Sequence, residues 1–175
     1  MPLNKVSDWE CKRDEIVRPD GKYFRVLGVR VSIDNREVRS WCQPLVQPMQ
    51  QGLCAFIIKE INGVFHFLVQ AKLECGNLDV FDLAPTVQCL TGNIFKDAAK
   101  PTFTDYVLNV STDQIIYDTL QSEEGGRFYH EQNRNMLVIA DDSFPTELPE
   151  NFHWMTLYQL NSFMRFNNYI NIQAR

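Results

Sequence analysis

Leu68-Val-Gln-Ala-Lys-Leu-Glu-Cys-Gly-Asn-Leu-Asp-Val-Phe-Asp-Leu-Ala-Pro-Thr-Val-Gln88 sets amides, a lysine and a carboxylate among strand-forming residues. Side chains alternate across a strand, so Gln70, Lys72 and Glu74 share one face while Val69, Ala71 and Leu73 share the other. One face is apolar and the other carries chemistry. Gly76-Asn77 breaks the strand, Pro85 restricts Ala84 to extended or turn geometry, and Thr86 and Gln88 follow on a defined path. The polar set fits a plain solvated face. It also fits one wall of a site, with Lys72 meeting a phosphate or oxyanion and Glu74 acting as a base or positioning one.

Upstream, Leu53 to Glu60 and Val64 to Leu73 are apolar runs separated by Asn62-Gly63, which supplies the two positive φ angles of a type I′ turn. This hairpin delivers the polar stretch. Tyr23 to Ile33 is a further strand, and Ser40-Trp41-Cys42-Gln43-Pro44 leads into a Gln-rich loop reaching Gly52. Thr91 to Pro101 is loop-rich, Phe103 to Val110 reads as a strand, and Thr112 to Leu120 fits either a short helix or a strand. Ser122 to Phe128 is a tight polar turn, Asn135 to Ala140 a short apolar strand, and Asp141 to Asn151 a Pro-rich loop. Thr156 and Gln159 form a capping box for a helix carrying Leu157, Leu160 and Met164, ended by Asn167-Asn168; Tyr169 to Ala174 returns to extended structure. Strands followed by a single late helix predict an α+β fold on a mixed or antiparallel sheet. Residues 1 to 20, closed by Pro19-Asp20-Gly21, read as a peripheral arm, and 21–175 as one module.

The 175 residues suit one domain that buries about 70% of its unfolded surface. With 45% hydrophobic and 22% charged residues, and no apolar run near the roughly 20 needed to span a bilayer, the pattern is globular and non-membrane. Met1 to Trp9 holds no apolar signal core, which points to the cytoplasm. The five cysteines (Cys11, Cys42, Cys54, Cys75, Cys89) are scattered without a C-x-x-C pair, against a zinc site or a disulfide framework. A net charge of −5 argues against general nucleic-acid binding, and an anionic ligand would need a locally basic pocket.

Other candidates stand beside plainer roles. Gly125-Gly126 bares backbone amides next to Arg127, a cradle for anionic oxygens if it is more than a turn. Trp41 and Trp154 are ligand platforms or core residues. His66 shares the parity of Gln70 and Lys72, and is either a hydrogen-bonded core histidine or the general base of that face. His130 and His153 have no metal-ligand spacing. The absence of G-x-G-x-x-G, G-x-x-x-x-G-K-[ST] and G-x-S-x-G leaves nicotinamide binding, P-loop chemistry and serine hydrolysis without support.

Ser40-Trp41-x-Gln43-Pro44, Gln70-Ala71-Lys72-x-Glu74-x-Gly76-Asn77, Leu83-Ala84-Pro85-Thr86-Val87-Gln88, Ser122-Glu123-x-Gly125-Gly126-Arg127-Phe128, Asn133-Arg134-Asn135 and Trp154-Met155-Thr156-Leu157-x-Gln159-Leu160 occur in that order. Together with Asn168-x-x-Asn171-x-x-Ala174-Arg175 they resemble the NDP-hexose 2,3-dehydratases of deoxysugar biosynthesis, over roughly residues 35 to 175. The resemblance implies a Nudix-like mixed sheet with flanking helices, binding of a dTDP-type nucleotide-sugar, and loss of water across C2 and C3 of a 4-keto-6-deoxyhexose, with no cofactor. Family members carry two such modules in one longer chain, so a single module implies a homodimer. The metal-binding R-E-x-x-E-E core of the Nudix box is missing, and with it any implication of metal-dependent pyrophosphate hydrolysis.

The resemblance fixes positions, and the chemistry suggests roles: His66 or Glu74 as base, Lys72 on the enolate or a phosphate, Arg127 with Asn133 on the pyrophosphate. Trp41, Gln70, Asn77, Thr86, Gln88 and Trp154 complete the expected substrate contacts. His66 lies outside the matched segments. Two other readings remain: a non-catalytic nucleotide-sugar module serving a longer dehydratase, and a 3,4-ketoisomerase-like activity that starts from the same C3 deprotonation.

Overall fold

A computed structural model describes the chain except residues 3, 4, 95–99, 146 and 167. Its strands form two sheets. The smaller is an antiparallel meander of β1 (Glu10–Cys11), β2 (Glu15–Val17), β3 (Phe24–Ser32) and β4 (Ser40–Pro48), in that order. The stretch read as an arm therefore contributes two short strands to a sheet. The expected Gln-rich loop is strand as far as Pro48, because β3 offers an open edge; Pro44 and Pro48 are tolerated there because β4 is itself an edge strand.

The larger sheet runs β11 (Phe152–Thr156), β6 (Val64–Lys72), β5 (Gly52–Ile61), β10 (Gln132–Ile139), β9 (Ile115–Ser122). The pair β5·β10 is parallel and the other pairs are antiparallel, so the sheet is mixed and the fold is α+β. The β5–β6 hairpin forms as expected, with φ of 52° at Asn62 and 78° at Gly63, as a type I′ turn requires. Pairing of these two strands is confined to Ile58↔Phe67 through Ile61↔Val64. Beyond it they part. β7 (Asp82–Ala84) pairs with β6 and β8 (Val87–Leu90) with β5. Since β11 holds the far edge of β6 and β10 the far edge of β5, β7 and β8 must lie inside the fork.

Pro85 and Thr86 stand at the apex of the fork, fully buried. The Thr86 hydroxyl accepts from Ile57 N at 2.9 Å and donates to Leu68 O, joining the parted strands through one side chain. It supplies partners for backbone groups that the parting leaves unpaired. Thr86, expected at a binding site, is a structural strut.

Each face of the sheet has its own core. Leu53, Ala55, Ile57, Leu68, Val87, Met136 and Val138 pack with Val107 and Phe144 on one face, and Val69 with Leu160 and Ile170 on the other. Val107 belongs to α2 (Thr104–Asn109), where the sequence suggested a strand. Phe103, Tyr106, Val107 and Val110 all pack on that first core, so the period that matters is helical. A four-residue helix, α1 (Thr91–Ile94), opens the stretch expected to be loop, of which residues 95–99 lie outside the described residues. The undecided stretch after Ser111 is a 3-10 turn at Thr112–Gln114 leading into β9.

The capping box at Thr156 forms as expected, Thr156 Oγ1 accepting from Gln159 N at 3.2 Å, and starts α3 (Leu157–Phe163). The Asn167 expected to end this helix is outside the described residues. Tyr169 to Ala174 is not a strand: Ile170 makes an isolated bridge to Leu83, and Asn171 caps a 3-10 turn at Ile172–Ala174. Among the described residues no helix is long and apolar enough to cross a membrane.

Replacing Thr86 by valine keeps the volume but leaves a buried N–H and C=O without partners. Urea unfolding should show a loss of about 2 kcal/mol with an unchanged m-value, and Thr86→Ser should recover most of it.

Candidate active site

The mouth of the fork is where its two branches are furthest from being paired, and there a cleft of about 210 Å³ opens. The ends of β5 and β6 give it Gly52, Cys54 and Lys72; Glu74 follows β6, Gln88 and Cys89 come from β8, and Asn133 from β10. Register explains the grouping. Cys54 pairs with Gln88 and Gly52 with Asn133, so these four share one sheet face, the face of the smaller core.

Lys72 Nζ lies 2.7 Å from Glu74 Oε1, and Asn171 Nδ2 donates to Glu74 Oε2 at 3.2 Å. The C-terminal turn thus fixes the carboxylate, while Gln173 comes within 3.4 Å of Gln88. Among the described residues the side-chain oxygen of Gln88 is buried without a hydrogen-bond partner. Asn133, 8% exposed, donates to Glu123. A Cβ on Gly52 would sit 1.9 Å from Asn133 Oδ1, so only glycine lets this amide occupy its place.

Lys72, Glu74, Gln88 and Asn133, all expected from sequence, are therefore brought together. The other expected residues lie elsewhere. His66 is six residues from Lys72 along β6, about 20 Å in an extended strand, with Nδ1 2.9 Å from Val64 O near the hairpin turn. Gln70 is half-buried in mid-strand beside Ala84 and Phe152, outside the cleft lining. Asn77 is in the turn after β6, its side-chain nitrogen buried and without a partner among the described residues. Arg127 and Asn133 bond to different carboxylates, Asn133 to Glu123, while the Arg127 guanidinium is exposed, held by Glu124 and lying over Phe128. Trp154 packs on the larger core, 5.9 Å from Phe144.

Trp41 is on the smaller sheet, where Nε1 donates to Gln43 Oε1 at 2.5 Å and Gln43 Nε2 donates to Gly126 O at 2.6 Å. With Val46 N donating to Arg127 O at 2.8 Å, that link ties the smaller sheet to the Gly125-Gly126 turn.

Sequence reading missed Glu131, Glu123, Gln173 and Asn171. Glu131 and Gln173 line the cleft, and the other two hold cleft residues from behind. The signal for Glu131 and Glu123 was their place beside Asn133 and in the Gly-Gly turn; the C-terminal pair enters by a long-range bridge that no local pattern encodes. A second cleft of about 490 Å³ adjoins, walled by Ser122, Phe128, Tyr129 and His130 and sharing Glu131. Among the described residues no group of three or more His, Cys, Asp or Glu side chains could hold a metal ion.

Burial also sets the thiols apart. It pushes Cys54 up to about 11 and raises Cys89, whereas Cys11, Cys42 and Cys75 are exposed. Since the thiolate is the reactive form, a neutral-pH disulfide reagent should modify the exposed thiols quickly and leave Cys54 and Cys89 at least tenfold slower until the chain is unfolded. Raising the pH toward 11 should close that gap.

Comparison with known proteins places this geometry in a lineage. Residues 1–175 match the family model for NDP-hexose 2,3-dehydratase. Relatives named dTDP-4-dehydro-6-deoxy-alpha-D-glucopyranose 2,3-dehydratase share 46% identity in Streptomyces violaceoruber, 43% in Saccharopolyspora spinosa and 41% in Amycolatopsis orientalis. Each match covers 100% of this chain and 40%, 36% and 37% of the relative, so the chain spans about two fifths of their length. Among solved structures, the C. elegans Ap4A hydrolase aligns over 67% of this chain and 87% of its own, at 11% identity and a TM-score of 0.42. On the match along its whole length, this chain belongs to the NDP-hexose 2,3-dehydratase family.

Proposed function

We propose that this chain carries a sugar-nucleotide 2,3-dehydratase site acting on a dTDP-linked 4-keto-6-deoxyhexose, with the hexose in the fork-mouth cleft. The observation that carries the reading is the convergence of Lys72, Glu74, Gln88 and Asn133 on one cleft in a chain of this family. A cleft of about 210 Å³ lies below the roughly 300–1,000 Å³ usual for small-molecule pockets, and so suits a sugar ring better than a whole nucleotide-sugar. The adjoining cleft with Phe128, Tyr129 and His130 takes the nucleoside end. We place the protein in the cytoplasm, as its scattered free cysteines suggest.

The chemistry follows from the 4-keto group, which acidifies the C3 hydrogen. Glu74, held by Asn171, is the base of this proposal, and Lys72 supplies positive charge to the enolate oxygen. Their 2.7 Å ion pair restrains both groups. A carbonyl oxygen arriving at Lys72 draws the ammonium away and leaves Glu74 free to accept the proton. Loss of the C2 hydroxyl then gives an enol, which tautomerises to the 3,4-diketo sugar. Positioned base catalysis and enolate stabilisation each contribute factors of about 10² to 10⁴.

Incubation with dTDP-4-keto-6-deoxyglucose should give a product lighter by one water. Glu74→Gln should lower kcat by about 10²-fold or more with dTDP binding within threefold, whereas His66→Asn should stay within threefold of the wild type. Binding without turnover at high protein concentration would instead favour a non-catalytic nucleotide-sugar module. We further propose that two copies associate. Sedimentation should give a mass near twice 20.4 kDa, and a strictly monomeric active species would refute that point.

A further inference from the structure

The dehydratase reading needs an acid as well as a base. Three carboxylates stand in or behind the clefts, and two are committed: Glu74 to Lys72 and Asn171, Glu123 to Asn133. Glu131 is different. Its side chain makes no hydrogen bond or ion pair among the described residues, and it lines both clefts, on the boundary where the sugar would join its nucleotide. Its backbone is fixed. Glu131 O accepts from Glu123 N at 3.0 Å, and the preceding His130 holds a φ of 54° with its ring 4.3 Å from that of Tyr129. A non-glycine residue in that region costs free energy and persists where its surroundings over-determine it.

From this placement we propose that Glu131 is the general acid that protonates the C2 hydroxyl as it leaves; the proposal rests on the dehydratase reading. In this step the base takes the C3 proton and the C3–H electron pair passes through the enolate. The C2–O bond then breaks with its pair on oxygen, and the Glu131 proton completes one molecule of water. Burial first, and then the Glu123 carboxylate, raise the Glu131 carboxyl above its ordinary value, the direction an acid needs. The charged or titratable groups around it are Glu123 and His130 from its own loop, Lys72 from the end of β6 and Glu74 just after it, and the thiols of Cys54 and Cys89 from β5 and β8.

The test uses the full chain, Glu131→Gln, and two substrates, dTDP-4-keto-6-deoxyglucose and its 2-deoxy-2-fluoro analogue, whose fluoride departs without a proton. With the natural substrate the variant should lose about 10²-fold or more in kcat. It should also lose the fall in kcat that the wild type shows as pH rises past the Glu131 pKa, since a general acid must be protonated. On the fluoro analogue it should come within about fivefold of the wild type, and deuterium exchange at C3 from solvent should persist. An equal loss on both substrates would make Glu131 structural and overturn the proposal, as would full activity of the variant on the natural substrate. A wild-type chain that eliminates from neither substrate would remove the dehydratase reading, and the acid role with it.

Discussion

One threonine hydroxyl holds the hairpin fork open. A β5–β6 hairpin with a type I′ turn would ordinarily zip along its full length, since each further residue pair satisfies backbone groups on both strands. Here pairing stops at Ile58↔Phe67, and Thr86 bonds to Ile57 N and Leu68 O across the gap. Pro85 cannot donate to a ladder and keeps the chain extended before it, so the β7–β8 connection enters the gap as a wedge. Everything at the candidate site follows from that wedge. The branches diverge from their apex, and the divergence leaves Gly52, Lys72 and Gln88 facing a space that a closed hairpin would have filled.

Polar groups around that space are largely tethered from outside the hairpin. Asn171 and Gln173 reach in from the C-terminal turn, and Glu123 holds Asn133 from the β9–β10 connection. Such tethers restrict rotamers before a ligand arrives, which is what preorganised acid–base chemistry requires. The exceptions are informative. Among the described residues the side-chain oxygen of Gln88 is buried without a partner and the Glu131 side chain makes no hydrogen bond or ion pair, so these two cleft groups are open to a ligand. The local charge is not strongly basic, with Lys72 facing Glu74 and Glu131 nearby. In the proposed function a diphosphate would lie outside the cleft, with the neutral sugar inside it.

Much of the frame was legible in the sequence, because it is encoded locally. Asn62-Gly63 dictates its hairpin, and Thr156 with Gln159 dictates a helix start. Lys72 and Glu74 were recognisable because strand alternation set them apart from an apolar face. The misreadings have equally local causes. Phe103 to Val110 carries enough aromatic and β-branched residues to suggest a strand, yet its buried positions recur at helical spacing. Parity extended the polar face as far as His66, but parity carries no distance, and the strand takes His66 to the opposite end of the hairpin. Thr86 looked like a ligand contact because its sequence does not reveal that two strands part around it. Asn171 and Gln173 became visible only through tertiary contact.

The central claim is that ligand enters at the fork mouth. Hydrogen–deuterium exchange with and without dTDP-4-keto-6-deoxyglucose tests it most directly, because backbone amides report position independently of turnover. The account predicts slowed exchange at residues 72–74, 88–90 and 131–133, with the hairpin turn and His66 unchanged. Protection confined to the His66 end of the hairpin, or to the smaller sheet around Trp41, would contradict it.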